Sequence, residues 1–341
     1  MFEPKIVTTA KALGQKWAGI PGIEITANRR LFVVCFSGGE REPDPANTIY
    51  LLVSDDGGES FSKPIIMAGP RDGYRAFDPT LWLDPKGRLW LIFNRGDKEQ
   101  GRHGVFARIC NHPDDPDLPV RIAQSIKPDM DWGAEFQLHL GVPYAFRMNK
   151  PTVLRSGDWA LPVTHCSECI NDWFAGDRQV QGMALSRDQG ASWTLYGAIG
   201  APSWALENMV IEREDGTVVT YIRAGGGFIY QSLSRDGGLT WSPAASTTIP
   251  NPGSRFFIRR LATGSWLLIN SPDPTSRTGI AASLSHDEGT SWQTPHILDP
   301  RENVSYPDAA ITPDGTIYAV HDRDRGGKGE ILLTRFSLSN L

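Results

Sequence analysis

Asp78, Lys150, Glu207, Arg255 and Tyr306 are scattered along the chain, yet each stands at the same offset from a short apolar run. The runs are Leu31–Phe36, Leu89–Phe93, Trp159–Val163, Val218–Ile222, Trp266–Ile269 and Ile317–Val320. Counting back from each run across a turn and a preceding strand reaches Ile20, Asp78, Lys150, Glu207, Arg255 and Tyr306, just before that strand begins; the third unit needs a hairpin two residues shorter. The next residues are Pro21, Pro79, Pro151, Asn208, Phe256 and Pro307. Five of the six positions are thus ionisable or hydroxylic, a regularity that random polar loops do not produce and that a ligand site does. Pro307 is expected to hold Tyr306 in an extended conformation.

Five residues past the start of each run stand Phe36, Asn94, Thr164, Arg223, Ser271 and Asp322, with His165, Arg95 and His321 beside them. Arg277 opens the following strand of the fifth unit, and Glu42, Asp44 and Asn47 lie in the matching loop of the first. Cations (Lys150, Arg223, Arg255, Arg277) therefore face acids (Asp78, Glu207, Asp322). Guanidinium groups grouped this way hold an anionic group bidentately. The plainer reading of any single Arg is an ion pair with a neighbouring acid.

The elements that must position these groups are short strands. The runs are rich in Val, Ile, Leu and Trp and about five residues long, which reads as strand. Five of the turns before them carry Gly (Gly87, Gly157, Gly216, Gly264, Gly315), and Asn28-Arg29-Arg30 stands at the sixth. Six antiparallel units of roughly 50 to 60 residues imply an all-β, six-bladed β-propeller, in which equivalent residues ring a channel. The alternative is a pair of β-sandwiches. No linker or charge break divides the chain, so residues 1–341 are expected to be one domain, closed by pairing of Lys5–Leu13 with Glu330–Phe336.

A second repeat runs through the same chain: Ser54-x-Asp56-x-Gly58, Ser186-x-Asp188-x-Gly190, Ser234-x-Asp236-x-Gly238 and Ser285-x-Asp287-x-Gly289, each completed by an aromatic (Phe61, Trp193, Trp241, Trp292). The Asp caps backbone N–H groups, the Gly takes the strained dihedrals, and the aromatic packs back. These turns are expected to join the outer strands of blades one, three, four and five, on the face away from the ligand.

Net charge is −5, which gives no electrostatic case for nucleic acid. The eleven Trp and eight Tyr exceed what a core needs and suit stacking on sugar faces. No run is long enough to span a membrane, and the N-terminus shows no signal-type apolar region, so a cytoplasmic location is expected. Cys166 and Cys169 form a Cys-x-x-Cys beside His165, but no second ligand pair accompanies them. No metal or other cofactor is expected, and the cysteines read as free thiols.

The Asp-turns, the six units and the ring together resemble the sialidase (neuraminidase) superfamily, over nearly the whole chain. The resemblance implies a Tyr nucleophile activated by a Glu, three arginines on a substrate carboxylate, and a loop acid. Glu207 and Arg223 resemble the family's Glu and second arginine, Arg277 its third arginine, and Ser305-Tyr306-Pro307-Asp308 its nucleophile segment. Asp322 stands where an acid orients an arginine. Sialidases begin with Arg-Ile-Pro; here Gly19-Ile20-Pro21 leaves the ring position to Ile20 and the first arginine missing. Glu40, Glu42 and Asp44 all fit the loop acid, and Asp78 is a further candidate. Lys150, Arg255 and His165 are candidate substrate contacts. The expectation is an exo-glycosidase on a terminal, acidic sugar, with weak hydrolysis of simple sialosides. The rival readings are a polysaccharide lyase on a uronic acid and a non-catalytic carbohydrate-binding propeller.

Overall fold

The computed structural model describes residues 2–96, 103–118, 129–146, 149–167 and 178–341. Nearly all of the regular structure is β, in six largely antiparallel blades that follow one another along the chain, the second and third linked into one sheet by a parallel bridge between Tyr144 and His103. Blade one is Gly19–Ile25, Leu31–Ser37, Thr48–Ser54 and Ile65–Ala68; blade two is Arg75–Leu83, Leu89–Gly96, His103–Cys110 and Phe136–Leu138. In blade three, two segments, Tyr144–Phe146 and Thr152–Val153, both pair with Trp159–Cys166, followed by Val180–Ser186 and Thr194–Ile199. Blade four is Ala205–Glu212, Val218–Ala224, Phe228–Ser234 and Ala245–Pro250; blade five is Phe257–Arg260, Trp266–Asn270, Thr278–Ser285 and His296–Glu302. Blade six is Val304–Ile311, Thr316–Arg323 and Glu330–Ser337, and Lys5–Thr8 completes it against Glu330–Ser337, as expected.

One hairpin is repeated six times. Arg29, Gly87, Gly157, Gly216, Gly264 and Gly315 each donate N–H to the carbonyl three residues back, and that same residue's N–H closes on the carbonyl four residues on. The six have φ between 66° and 90°. Glycine enters that region without a Cβ penalty, and Arg29 bears the penalty in its place. The second strands are largely buried: all seven residues of Leu31–Ser37 and of Val218–Ala224 are covered. Covered on both faces, they read as continuous apolar runs without alternation.

The chain divides into two compact units. One comprises Met1–Lys98, Phe106–Gln137 and Arg301–Leu341; the other comprises Glu99–Val105 and Leu138–Pro300. In each, the Asp-turns sit between third and fourth strands and make identical contacts. Ser234 Oγ donates to Asp236 Oδ1, Thr240 N–H and Oγ1–H donate to the two Asp236 oxygens, and Gly238 N–H donates to Ser234 Oγ. Gly238 has φ 92°, and a Cβ there would lie 1.8 Å from Met183 of blade three. Gly58 likewise abuts Leu333 of blade six, and Gly289 abuts Tyr221 of blade four. Trp241 packs on the cluster containing Leu154, Met183 and Tyr196. Each of these three turns is therefore a spacer against the preceding blade, and only Gly allows that approach.

Candidate active site

The ring positions found by counting share one backbone device. Ile20, Asp78, Glu207 and Tyr306 have φ of 56°, 50°, 54° and 57°. Each lies inside the first strand of its blade, where the pairing register shifts: Gly19/Gly22, Phe77/Thr80, Leu206/Met209 and Ser305/Asp308. The strands thus begin earlier than expected, and the ring residues occupy β-bulges. A bulge re-aims one side chain out of the ladder, which is why such sites favour functional groups. Tyr306 is left-handed, not extended. The proline after it constrains ψ more than φ, and the bulge decides φ. Lys150 lies in the gap between the two first-strand segments of blade three, and Arg255 lies two residues before Phe257–Arg260.

In the first unit, Asp322 is fully buried and accepts from Ile20 N–H at 2.7 Å, from Ser305 Oγ at 2.6 Å and from Arg325 Nη2 at 2.9 Å. The Arg325 guanidinium lies 4.5 Å from the centroid of the buried Tyr306 ring. Its Nη1 donates to Glu42 at 3.2 Å. Burial opposes the charge on Arg325, but Asp322, Tyr306 and Glu42 outweigh it and hold its pKa above the ordinary arginine value. Arg75 is buried against the Phe77 ring and donates to Asn47 Oδ1 at 3.1 Å. Its burial lowers its pKa, and the charges of Asp78 and Glu42 raise it in part. Asp78 accepts from Asn94 Nδ2 at 3.3 Å. Tyr306, Asp322, Arg325, Glu42, Arg75 and Asp78 therefore form one connected set.

In the second unit, Glu207 and Arg223 form an ion pair with side chains 3% and 2% exposed. Arg223 Nε also donates to Gly253 O at 2.7 Å, and Arg277 Nη2 reaches the same carbonyl at 3.4 Å. The Trp204 ring covers Arg223 at 5.3 Å. Glu207 N–H donates to Thr164 Oγ1, which in turn donates to Gln181. Asn149 Nδ2 holds the carbonyls of Glu207 and Asn208. The second carboxylate oxygen of Glu207 is buried with no hydrogen-bond partner among the described residues. Lys150 and Arg255 are 2% and 1% exposed.

Two of the candidate site residues, Asp44 and His165, make contacts within their own loop and sheet. Asp44 turns its carboxylate back into its own loop, accepting from Glu40 N–H and Ala46 N–H, while Glu42 is the loop acid that reaches the cluster. Glu40 pairs with Lys16. His165 does not join Glu207: its Nε2 meets the Gly197 carbonyl of its own sheet at 2.9 Å, and burial lowers its pKa. Thr164 faces Glu207, so alternation along the strand sends His165 to the other face. At the Gly-Ile-Pro segment, Gly19 faces Arg325. A Cβ on Gly19 would lie 2.5 Å from Arg325 Nε, so Arg325 fills the room that a side chain at position 19 would take. Sequence reading passed over Arg325; the signal was an Arg three residues after Asp322, opposite a Gly. Cys35, Cys110 and Cys166 are buried, and burial, then Asp322, pushes the Cys35 thiol up to about 12. Cys169 lies outside the described residues.

The BNR repeat-like domain matches residues 29–319. This chain belongs to that family. A sialidase of Micromonospora viridifaciens is 26% identical over 334 residues, covering 90% of this chain and 50% of its own length. The chain thus spans half of that relative. Among solved structures, the Hadza microbial sialidase Hz136 has a TM-score of 0.78 at 17% identity, covering 99% of this chain and 69% of that one. The intramolecular trans-sialidase of Ruminococcus gnavus has a TM-score of 0.74 at 14% identity, covering 98% and 97%. The fold is a sialidase-like six-bladed β-propeller.

Proposed function

We propose that this chain is a retaining exo-glycosidase acting on a terminal acidic sugar. The carrying observation is that Tyr306, Glu207 and Asp78 occupy the same left-handed bulge in three blades. One strained device thus presents a phenol and two carboxylates, the groups that nucleophilic and acid–base catalysis require. A carboxylate nucleophile would be repelled by an anomeric carbon that carries its own carboxylate, and a phenol is not.

In this reading Tyr306 gives its proton to Glu207 and its oxygen bonds the anomeric carbon. The bond to the leaving oxygen breaks, and Asp78 protonates that oxygen. Water then cleaves the tyrosyl–sugar bond, with Asp78 accepting its proton and Glu207 returning the phenolic proton to the departing Tyr306 oxygen. Arg223 neutralises one oxygen of Glu207, and the other, buried and without a hydrogen-bond partner among the described residues, is the acceptor for the phenolic proton. Arg277, Arg255 and Lys150 supply positive charge for the anionic substrate, and Asp322 braces Arg325. The names of the relatives support an acidic sugar: two are sialidases, and the Ruminococcus neighbour was solved with oseltamivir carboxylate.

The test is turnover of a panel of aryl glycosides of acidic sugars by the wild type and Tyr306→Phe. Loss of one oxygen should lower turnover by orders of magnitude while folding survives. Full activity in the Phe variant removes Tyr306 as nucleophile. Ultraviolet-absorbing unsaturated uronate products identify a lyase instead, and glycan binding without turnover identifies a binding module.

A further inference from the structure

Glu207 and Asn208 stand in the bulge of Ala205–Glu212, where two residues oppose one on Val218–Ala224. The bulge is held from outside its own blade. Thr164 and Gln181 are directly opposed on the second and third strands of blade three. Glu207 N–H donates to Thr164 Oγ1 at 3.1 Å, the Thr164 hydroxyl donates to Gln181 Oε1 at 2.8 Å, and Gln181 Nε2 donates to the Ala205 carbonyl at 2.8 Å. The relay thus leaves the first strand of blade four at residue 207 and returns to it at residue 205. Asn149 Nδ2 donates to the Glu207 and Asn208 carbonyls, and Asn208 Nδ2 donates to Gly182 O and Thr220 Oγ1. All four of these polar side chains are buried. A left-handed residue other than glycine persists only where its surroundings over-determine it, and blade three supplies that constraint at Glu207.

We propose that Thr164 and Gln181 are positioning residues for Glu207: their relay holds the left-handed bulge and so keeps the Glu207 carboxylate on Arg223. The direction of the relay is set chemically. Ala205 O can only accept, so the Gln181 amide turns its Nε2 there and its Oε1 to Thr164. The Thr164 proton is thereby committed to Gln181, and a lone pair is left for Glu207 N–H. If the bulge relaxed into ordinary strand, alternation would re-aim the Glu207 side chain away from Arg223. Blade six repeats the device at the same offset, where Asp322 accepts the N–H of the bulge residue Ile20 at 2.7 Å. Thr164 does this with a neutral oxygen and adds no negative charge beside a segment that already carries Glu207. The inference deepens the reading of Glu207 as the acceptor of the phenolic proton, and its kinetic arm rests on that reading.

The experiment combines crystal structures of full-chain variants with kcat and KM on an aryl glycoside that the wild type hydrolyses. Thr164→Val keeps the shape of the side chain and deletes its lone pair. Glu207 should leave the left-handed region and lose its contact with Arg223. Because Glu207 acts on a proton and does not hold the sugar, kcat should fall about tenfold or more while KM stays within about twofold. Thr164→Ser restores the acceptor and should restore both the geometry and kcat. Gln181→Met keeps the length of the side chain but removes the middle of the relay, and should change the site in the same direction as Thr164→Val. Asp236→Ala, which lowers stability through an Asp-turn, should keep kcat, so loss of stability alone does not imitate the effect. If Thr164→Val does not fold, Gln181→Met decides by the same two readouts. A wild type that turns over no glycoside sinks the glycosidase reading and leaves the crystal structures to decide the positioning role. The inference is overturned if Thr164→Val keeps Glu207 left-handed and in contact with Arg223, or if Thr164→Ser repairs neither geometry nor kcat. It is also overturned if Thr164→Val raises KM and leaves kcat unchanged.

Discussion

Replacing Arg223 by Met should expose how much of the second unit depends on one buried ion pair. The substitution keeps a long stem and deletes the charge. Glu207, 3% exposed, is then left without its partner, and Gly253 O loses its 2.7 Å donor. Breaking one side of a buried pair costs about 3–5 kcal/mol, because the remaining charge stays desolvated. Unfolding entropy of about 2.1 cal/mol/K per residue gives roughly 0.7 kcal/mol/K for a chain of this length, so Tm should fall by about 4–7 °C. Differential scanning fluorimetry or circular dichroism measures this directly. Adding Glu207→Gln to the Met variant removes the orphaned charge and should recover roughly 2 kcal/mol, a positive coupling in the double-mutant cycle. If Arg223→Met melts within about 1 °C of the wild type, or the two changes simply add, the buried-pair argument is wrong.

Other outcomes follow from the same contacts. Asp188, Asp236 and Asp287 are pulled down to about 2 by Ser and Thr hydroxyls and backbone N–H groups, so their folded pKa lies below the unfolded one. Their contribution is complete above about pH 4 and disappears as pH falls toward 2; an Asp236→Ala variant should therefore be less stable than the wild type at neutral pH and indistinguishable near pH 2 in an acid titration of the melt. Gly238→Ala should cost about 2 kcal/mol or more, from left-handed strain and collision with Met183, read as a drop in Tm with unchanged turnover per folded molecule. His165→Ala should leave sugar affinity unchanged, since the ring faces Gly197 on the other side of its strand; a selective affinity loss would contradict that orientation.

Much of the molecule was written in local sequence. Six hairpins were legible because a left-handed turn residue and an apolar run recur together. The Asp-turns were legible because Ser, Asp and Gly at fixed spacing satisfy one another within eight residues. Even the four residues that occupy the bulges were found by counting, since a repeated blade places equivalent residues at equal offsets, although the bulges themselves were not foreseen. The left-handed φ at Tyr306 was not, because it depends on where the ladder slips a register, and both partner strands set that.

What tertiary structure alone decided is which charges meet. Glu40, Glu42 and Asp44 are indistinguishable as letters, yet one pairs with Lys16, one reaches Arg325 and one caps its own loop. Arg325 lies more than three hundred positions from Gly19, and nothing local connects a missing side chain at one with a guanidinium at the other. Short-range hydrogen bonds and propensities act within a few residues and are carried by sequence. Electrostatic pairing depends on distance through space, and only the packing of blade six against blade one brings that distance within reach.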